Sequence, residues 1–283
     1  MVDNLVPFSI VVPTLNQKQY LPRALNSIKE QLVGAEVIIV DGGSTDGALD
    51  FLNSHPSLFN RLISEHDTGQ SDAINKGFQL ATANYVAWLN SDDWYFPEVL
   101  DKVWAELETQ DFPDVLICGG SKVDEDGRVL KEIIPDSKTL ARTRRVMCVV
   151  QPSIFFKKSM ITSIGNVLEN LHYVMDWEYL NRTLAFPGAQ VRVSSLMVSA
   201  IEIRKDTKTA TGGWQRAREI AWVGQRYNGN WDINFVIFSL KESLNKIKIV
   251  WLKQGVFYFI EWVSRPLFRW RLCMISGRPS RSD

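Results

Sequence analysis

The chain has 283 residues, no net formal charge, 45% hydrophobic and 23% charged residues. That is ordinary globular material, long enough for one large α/β domain or one domain with an appendage. The lack of a basic excess excludes the electrostatic footprint of a nucleic-acid binder, and three scattered cysteines, Cys118, Cys148 and Cys273, give neither CxxC spacing nor an even disulfide set, so reduced thiols in a cytoplasmic protein are expected.

In chain order, MVDNLVPFSIVVP has no basic n-region and no long apolar core, so no signal peptide is expected. FSIVVP (8–13) reads as a strand. A helix follows through QYLPRALNSIKEQL, with Leu21, Leu25, Ile28 and Leu32 at helical spacing. AEVIIVD (35–41) is a second strand, stopped by the turn signal GGSTDG. A helix near 48–54, a strand over 61–67, the helix SDAINKGFQLAT and a strand ending in LNSDD complete four βα units. Such alternation predicts an α/β fold with a doubly wound, mainly parallel sheet. In that fold ligands bind at the carboxyl ends of the strands. Thr14 and Asn16, Asp41, Asp67 and the run Asn90–Asp93 all fall there.

The second half is less regular. DVLICGGSKV predicts a strand, and DEDGRVLKEII a hairpin turning at Asp126-Gly127. YVMDWEYLNRTL (173–184) predicts a helix with an apolar stripe of Tyr173, Trp177, Leu180 and Leu184, which leaves Asp176 free to face a pocket. AQVRVSSLMVSAIEI predicts a long strand, and the chain turns helical and aromatic from Trp214. We divide it into a domain over 1–210, with halves 8–100 and 101–210, and a helical, basic-aromatic extension over 211–283. After residue 240 there are nine Lys or Arg against three Asp or Glu. The apolar runs of 231–272 are too often interrupted to span a bilayer. They suit an interfacial helix in peripheral contact with a membrane; a lid on the domain or a dimer contact is the alternative.

Two adjacent carboxylates, Asp92 and Asp93, closing an apolar run need either water or a cation. Magnesium or manganese would answer, since each takes a few carboxylate oxygens and fills its shell from water and substrate phosphates. DGGSTDG is neither GxGxxG nor GxxxxGK[ST]. Asp41 at that strand end could accept a hydrogen bond from a base N–H, or cap the turn. His55, His66 and His172 have no metal-ligand spacing. Arg204 and Lys208 could meet phosphate or form a solvated basic run. Trp88 and Trp94, flanking the acidic motif, could be core or a sugar platform.

SIVVPTLNQ, EVIIVDGGSTDG and DTGQSDAINKGFQLATANYVAWLNSDD together resemble the family 2 inverting glycosyltransferases, of the bacterial cell-surface polysaccharide type. The resemblance covers about residues 8–100 and fades beyond. It implies a GT-A fold, a nucleotide-sugar donor, a divalent metal cofactor (Mn2+ or Mg2+) and a glycan or lipid-linked acceptor at the inner face of the cell membrane. Pro13, Thr14 and Asn16 would line the nucleotide pocket. Asp41 would read a uracil edge, if the donor is a UDP-sugar. Asp72 and Asn75 would lie beneath the nucleotide. Asn90-Ser91-Asp92 takes the place of the DxD motif, with Asp92 the metal ligand and Asp93 a second ligand or an anchor for the donor sugar. MDWEYLNR resembles the family's ED helix and puts Asp176 at the general-base position. Gln151-Pro152-Ser153 resembles an acceptor-side segment. Asn90, Ile74, Met175 and Gly42 depart from the pattern. They leave open a relative that binds nucleotide-sugar without transferring it. A sugar nucleotidyltransferase is disfavoured, because VVPTLNQKQ is not its glycine-rich basic loop.

Overall fold

The computed structural model describes residues 6–204 and 207–228. Its first half runs β1 (Phe8–Thr14), α1 (Leu21–Lys29), β2 (Ala35–Asp41), α2 (Ala48–Ser54), β3 (Arg61–Ser64), α3 (Gln70–Leu80) and β4 (Tyr85–Trp88). β1 pairs in parallel with β2 and β4, and β2 with β3. Helices cover both faces of this sheet, which is why its strands are apolar at nearly every position. Phe8, Ile10 and Val12 pack with Leu21, Leu25 and Ile28 of α1 on one face. Val11 packs with Ala73, Ile74 and Phe78 of α3 on the other. The strand expected over 61–67 ends at Ser64, because its β2 partner Asp41 is the last residue of that strand.

The second half adds β5 (Trp94–Tyr95), α4 (Leu100–Thr109), β6 (Val115–Val123), β7 (Val129–Ile133), α5 (Thr139–Thr143), β8 (Ile154–Lys157), α6 (Lys158–Ile164), α7 (Met175–Ala185), β9 (Val191–Glu202), α8 (Lys208–Thr211) and α9 (Gly213–Asn228). All the described strands join one mixed sheet in the order β3-β2-β1-β4-β8-β6-β9-β5, with β7 on β6. The β6–β7 hairpin turns at Gly127, whose φ of +79° suits glycine. β8 is antiparallel to β4 and β6, while β6 and β9 are parallel. The short β5 pairs antiparallel with the end of β9, Trp94 opposite Ala200. Continuing that register sets Asp92 beside Glu202.

Helix α9 lies in the segment assigned to the extension, and it packs on the domain. Ile220 and Val223 enter the same core as Trp177 and Leu180 of α7. Buried Glu219 accepts the backbone N–H groups of His172 and Tyr173. The Tyr227 hydroxyl donates to buried Glu178 at 2.7 Å. Residues 231–272, expected to touch a membrane, lie outside the described residues. No helix among the described residues is long and apolar enough to cross a membrane. Cys118 and Cys148 carry free thiols.

Candidate active site

A cavity of about 750 Å³ opens at the carboxyl ends of β1 and β4. Pro13, Thr14 and Asn16 line it from β1 and the turn beyond, and Asn90, Ser91, Asp92 and Asp93 from the end of β4. Asp176, Lys208 and Arg216 close it from the helical second half. Thus two carboxylates far apart in sequence, Asp92 and Asp176, face one volume.

The two adjacent aspartates differ sharply. Asp93 is buried, and its carboxylate accepts the Asn90 side-chain N–H at 3.1 Å. Burial first, then the Asp92 charge, hold its carboxyl well above the usual carboxylate range. Asp92 meets a cation supplied by the chain itself. The Arg204 guanidinium donates to its Oδ2 at 3.1 Å and to Glu202 at 2.9 Å. Glu202 also receives Arg23 at 2.6 Å, and Arg23 stacks over Trp94. The repulsion that the sequence poses at Asp92-Asp93 is therefore relieved by Arg204 at Asp92 and by the Asn90 amide at Asp93.

Asn90 joins a chain of side-chain bonds across the cavity. Lys208 donates to Gln70, Gln70 to the Asn90 carbonyl, and the Asn90 amide to Asp93. Gln151 donates to the Trp88 carbonyl from the same side. The amide orientation follows from this network. A carboxylate at position 90 could not donate to Asp93 and would add a like charge, which gives the departure from DxD a physical reason. Ser91 donates to Gln17. Trp88 is core, packed against Phe78, Phe156 and Tyr179. Ile74, where the family often has Arg, is fully buried in the same core.

Three of the expected nucleotide residues bond to the chain around the cavity. Asp41 is fully buried, and its carboxylate accepts the Ser44 N–H at 3.2 Å and the Ser64 hydroxyl at 2.7 Å, so it holds the glycine turn. Asp72 accepts the Thr68 N–H and pairs with Lys76. Asn75 clamps Val167, donating to its carbonyl at 3.0 Å and accepting its N–H at 2.8 Å. Gly42 stands where the family has an acid, and Asp67 fills the space in its stead. A Cβ on Gly42 would lie 2.4 Å from Asp67 Oδ2, and Asp67 lines the cavity.

Asp176 is in the first turn of α7, where a carboxylate is favoured by the helix dipole. It accepts the Trp177 N–H at 2.7 Å and also lines the cavity. Burial raises its carboxyl above the ordinary value; that hydrogen bond and the charges of Arg216 and Lys208 pull the other way.

A family model described as glycosyl transferase family 2 matches residues 9–161. The chain belongs to that family. It is 33% identical over 208 residues to a PGL/p-HBAD biosynthesis glycosyltransferase of Mycobacterium bovis, covering 68% of this chain and 75% of the relative. It is 25% identical over 230 residues to an uncharacterised glycosyltransferase of Rickettsia typhi, covering 76% and 70%. Among solved structures, TarS 1-349 of S. aureus in complex with UDP superposes with a TM-score of 0.62 at 20% identity, over 84% of this chain and 71% of that one. The mannosyltransferase PcManGT of Pyrobaculum calidifontis, with GDP-Man and Mn2+, gives 0.59 at 15% identity, over 93% and 82%. The fold is thus GT-A, and the family 2 chain is a glycosyltransferase.

Several cavity residues escape a reading of the sequence. Gln17, Gln70, Tyr20, Glu202 and Arg216 all line it. Gln70 sits inside a motif, but nothing marks it apart from its neighbours. Arg216 and Glu202 come from segments with no motif at all, and only the β5–β9 pairing and the packing of α9 bring them in.

Proposed function

We propose that this glycosyltransferase moves a sugar from a nucleoside-diphosphate donor, a UDP-sugar in the first instance, to an acceptor hydroxyl with inversion. The acceptor is a lipid-linked or polysaccharide glycan at the cytoplasmic membrane face. The observation that carries the reading is that Asp92 and Asp176 face the same cavity. Pro13, Thr14 and Asn16 bind the nucleotide from the end of β1. Asp41, Asp72 and Asn75 support it indirectly, by holding the turn after β2 and the loops around α3.

Asp176 takes the acceptor hydroxyl proton as that oxygen bonds to the anomeric carbon. The bond from that carbon to the diphosphate oxygen breaks, and its electron pair leaves with the nucleotide. One displacement inverts the configuration. The described residues include no cluster of three His, Cys, Asp or Glu that could cage a metal ion. The hard carboxylate of Asp92, already in contact with a cationic group, suits a divalent cation that draws its other ligands from phosphate and water. Asp92 would hold that ion, with Asp93 behind it. The ion would supply positive charge against the diphosphate as it leaves. TarS is described with UDP and UDP-GlcNAc, and PcManGT with GDP-Man and Mn2+, so both bases belong in the test.

Calorimetry with UDP and GDP, with and without manganese, tests the reading. Manganese-dependent UDP binding that disappears in Asp92→Ala is expected. Asp176→Asn should bind donor yet lose about 10²–10⁴-fold in turnover. Normal turnover by Asp176→Asn removes the base, and UDP binding indifferent to both manganese and Asp92→Ala removes the metal role.

A further inference from the structure

Among the described residues, helix α9 buries one side and leaves the other without cover. Ile220, Val223 and Glu219 are buried. Trp214, Gln215, Arg218, Trp222, Gln225 and Arg226 are exposed. Trp214, Arg218, Trp222 and Arg226 recur every four residues, so they form one continuous stripe. Trp214 is 67% exposed and Trp222 38%, a large apolar area to leave in water. The Arg226 guanidinium lies 5.3 Å from the Trp222 ring centre. The stripe has no acidic residue, because the helix's one carboxylate, Glu219, is turned inward onto the backbone of His172 and Tyr173. Among the described residues neither Arg218 nor Arg226 forms a salt bridge.

We propose that this stripe is a docking surface for an anionic lipid bilayer. Indole rings, apolar in body with one N–H, suit the boundary between headgroups and acyl chains. The two arginines complement lipid phosphates, and the lack of an acid removes the repulsion most surface helices would meet. The sequence beyond the helix continues in the same vein, with nine Lys or Arg against three Asp or Glu after residue 240. Arg216 lines the cavity, and it lies on the buried side of the same helix, roughly opposite the stripe, so α9 would stand between the cavity and a bilayer on the stripe. The proposal deepens the reading of a membrane-borne acceptor and names the surface that would meet the membrane.

The test is co-sedimentation of the full chain with vesicles of phosphatidylglycerol in phosphatidylcholine, against phosphatidylcholine alone, at low and high salt. Wild type should bind the anionic vesicles, less so at high salt. The double variant Arg218→Gln/Arg226→Gln should weaken that partition by about 30-fold, as two lost interfacial charges imply. Trp214→Ser/Trp222→Ser should weaken it at both salt concentrations. All four side chains are exposed, so the variants should keep the wild-type melting temperature and UDP affinity; those readouts test the donor site separately from the stripe. Failure of wild type to bind anionic vesicles overturns the proposal. So does binding that neither double variant changes. If the variants instead convert a dimer to a monomer in sedimentation velocity and leave vesicle binding intact, the stripe is a contact between copies and the proposal is wrong.

Discussion

Replacing Arg204 by alanine should expose how the acidic motif is held. Its guanidinium bridges Asp92 at 3.1 Å and Glu202 at 2.9 Å, with only 9% of its side chain exposed. Removing one partner of a buried ion pair costs roughly 3–5 kcal/mol, since the other charge stays behind. Here the loss is partial. Glu202 keeps Arg23 at 2.6 Å, and the Asp92 side chain is 19% exposed, so water can reach it. We therefore expect about 2–3 kcal/mol, below that range. At about 2–4 °C per kcal/mol for a domain of this size, the melting temperature should fall by about 4–12 °C. Arg204→Lys should fall in between, because a point charge cannot span two carboxylates as a planar fork does. Manganese should restore more stability to Arg204→Ala than it adds to wild type, because Asp92 no longer has to leave an arginine to bind it. The assay is thermal unfolding with and without manganese, closed as a double-mutant cycle with Asp92→Ala. Strict additivity in that cycle, within about 0.5 kcal/mol, would show that the ion pair contributes nothing and refute the reasoning.

Asp176 should give activity an acid limb. Its carboxyl is raised, chiefly by burial, and a base works only when ionised. The kcat/KM should therefore fall as pH drops through a value above the ordinary carboxylate range of about 4. For stability the sign is opposite. A raised carboxyl contributes its stability below the unfolded pKa and loses it as pH rises through the folded pKa. Asp176→Asn should accordingly melt higher than wild type at neutral pH while losing turnover; a lower melting temperature would contradict the burial argument. Gly77→Ala tests how closely α3 lies on β1. A Cβ there would come 2.2 Å from Val11 Cγ1, so overpacking of about 1–3 kcal/mol should outweigh the roughly 1 kcal/mol that alanine gains in helix propensity. A urea midpoint above wild type would show that the helix gives way more easily than the packing implies.

Much of the fold was legible because its signals are local. Val11 and Val12 point to opposite faces of β1, and both faces are covered. That demands an apolar run, and the run is visible without any knowledge of what covers it. The hairpin at Gly127 and the helix holding Asp176 announce themselves in the same way. Site residues were less legible. Asp41, Asp72 and Asn75 share the composition and the strand-end or helix-start setting of the residues that line the cavity. Whether a carboxylate or an amide looks into a cavity or back at a loop depends on what its neighbours offer. Ser44 and Ser64 take Asp41, and Val167 takes Asn75.

The sequence by itself determined the alternation of strands and helices, the burial of the first sheet on both faces, and the rim where the polar residues gather. The helices follow from a period of 3.6 residues, the doubly covered strands from unbroken apolar runs, and the rim from the polar residues that end those runs. Only the tertiary structure decided the charge balance at that rim. Arg204 reaches Asp92 across 112 positions of sequence, because β5 pairs with the end of β9 and sets the two segments side by side. Asp67 fills the space beside Gly42 for the same kind of reason: β2 and β3 end together, at Asp41 opposite Ser64. Electrostatic and steric partners are set by distance in space, and strand order rather than chain order sets that distance.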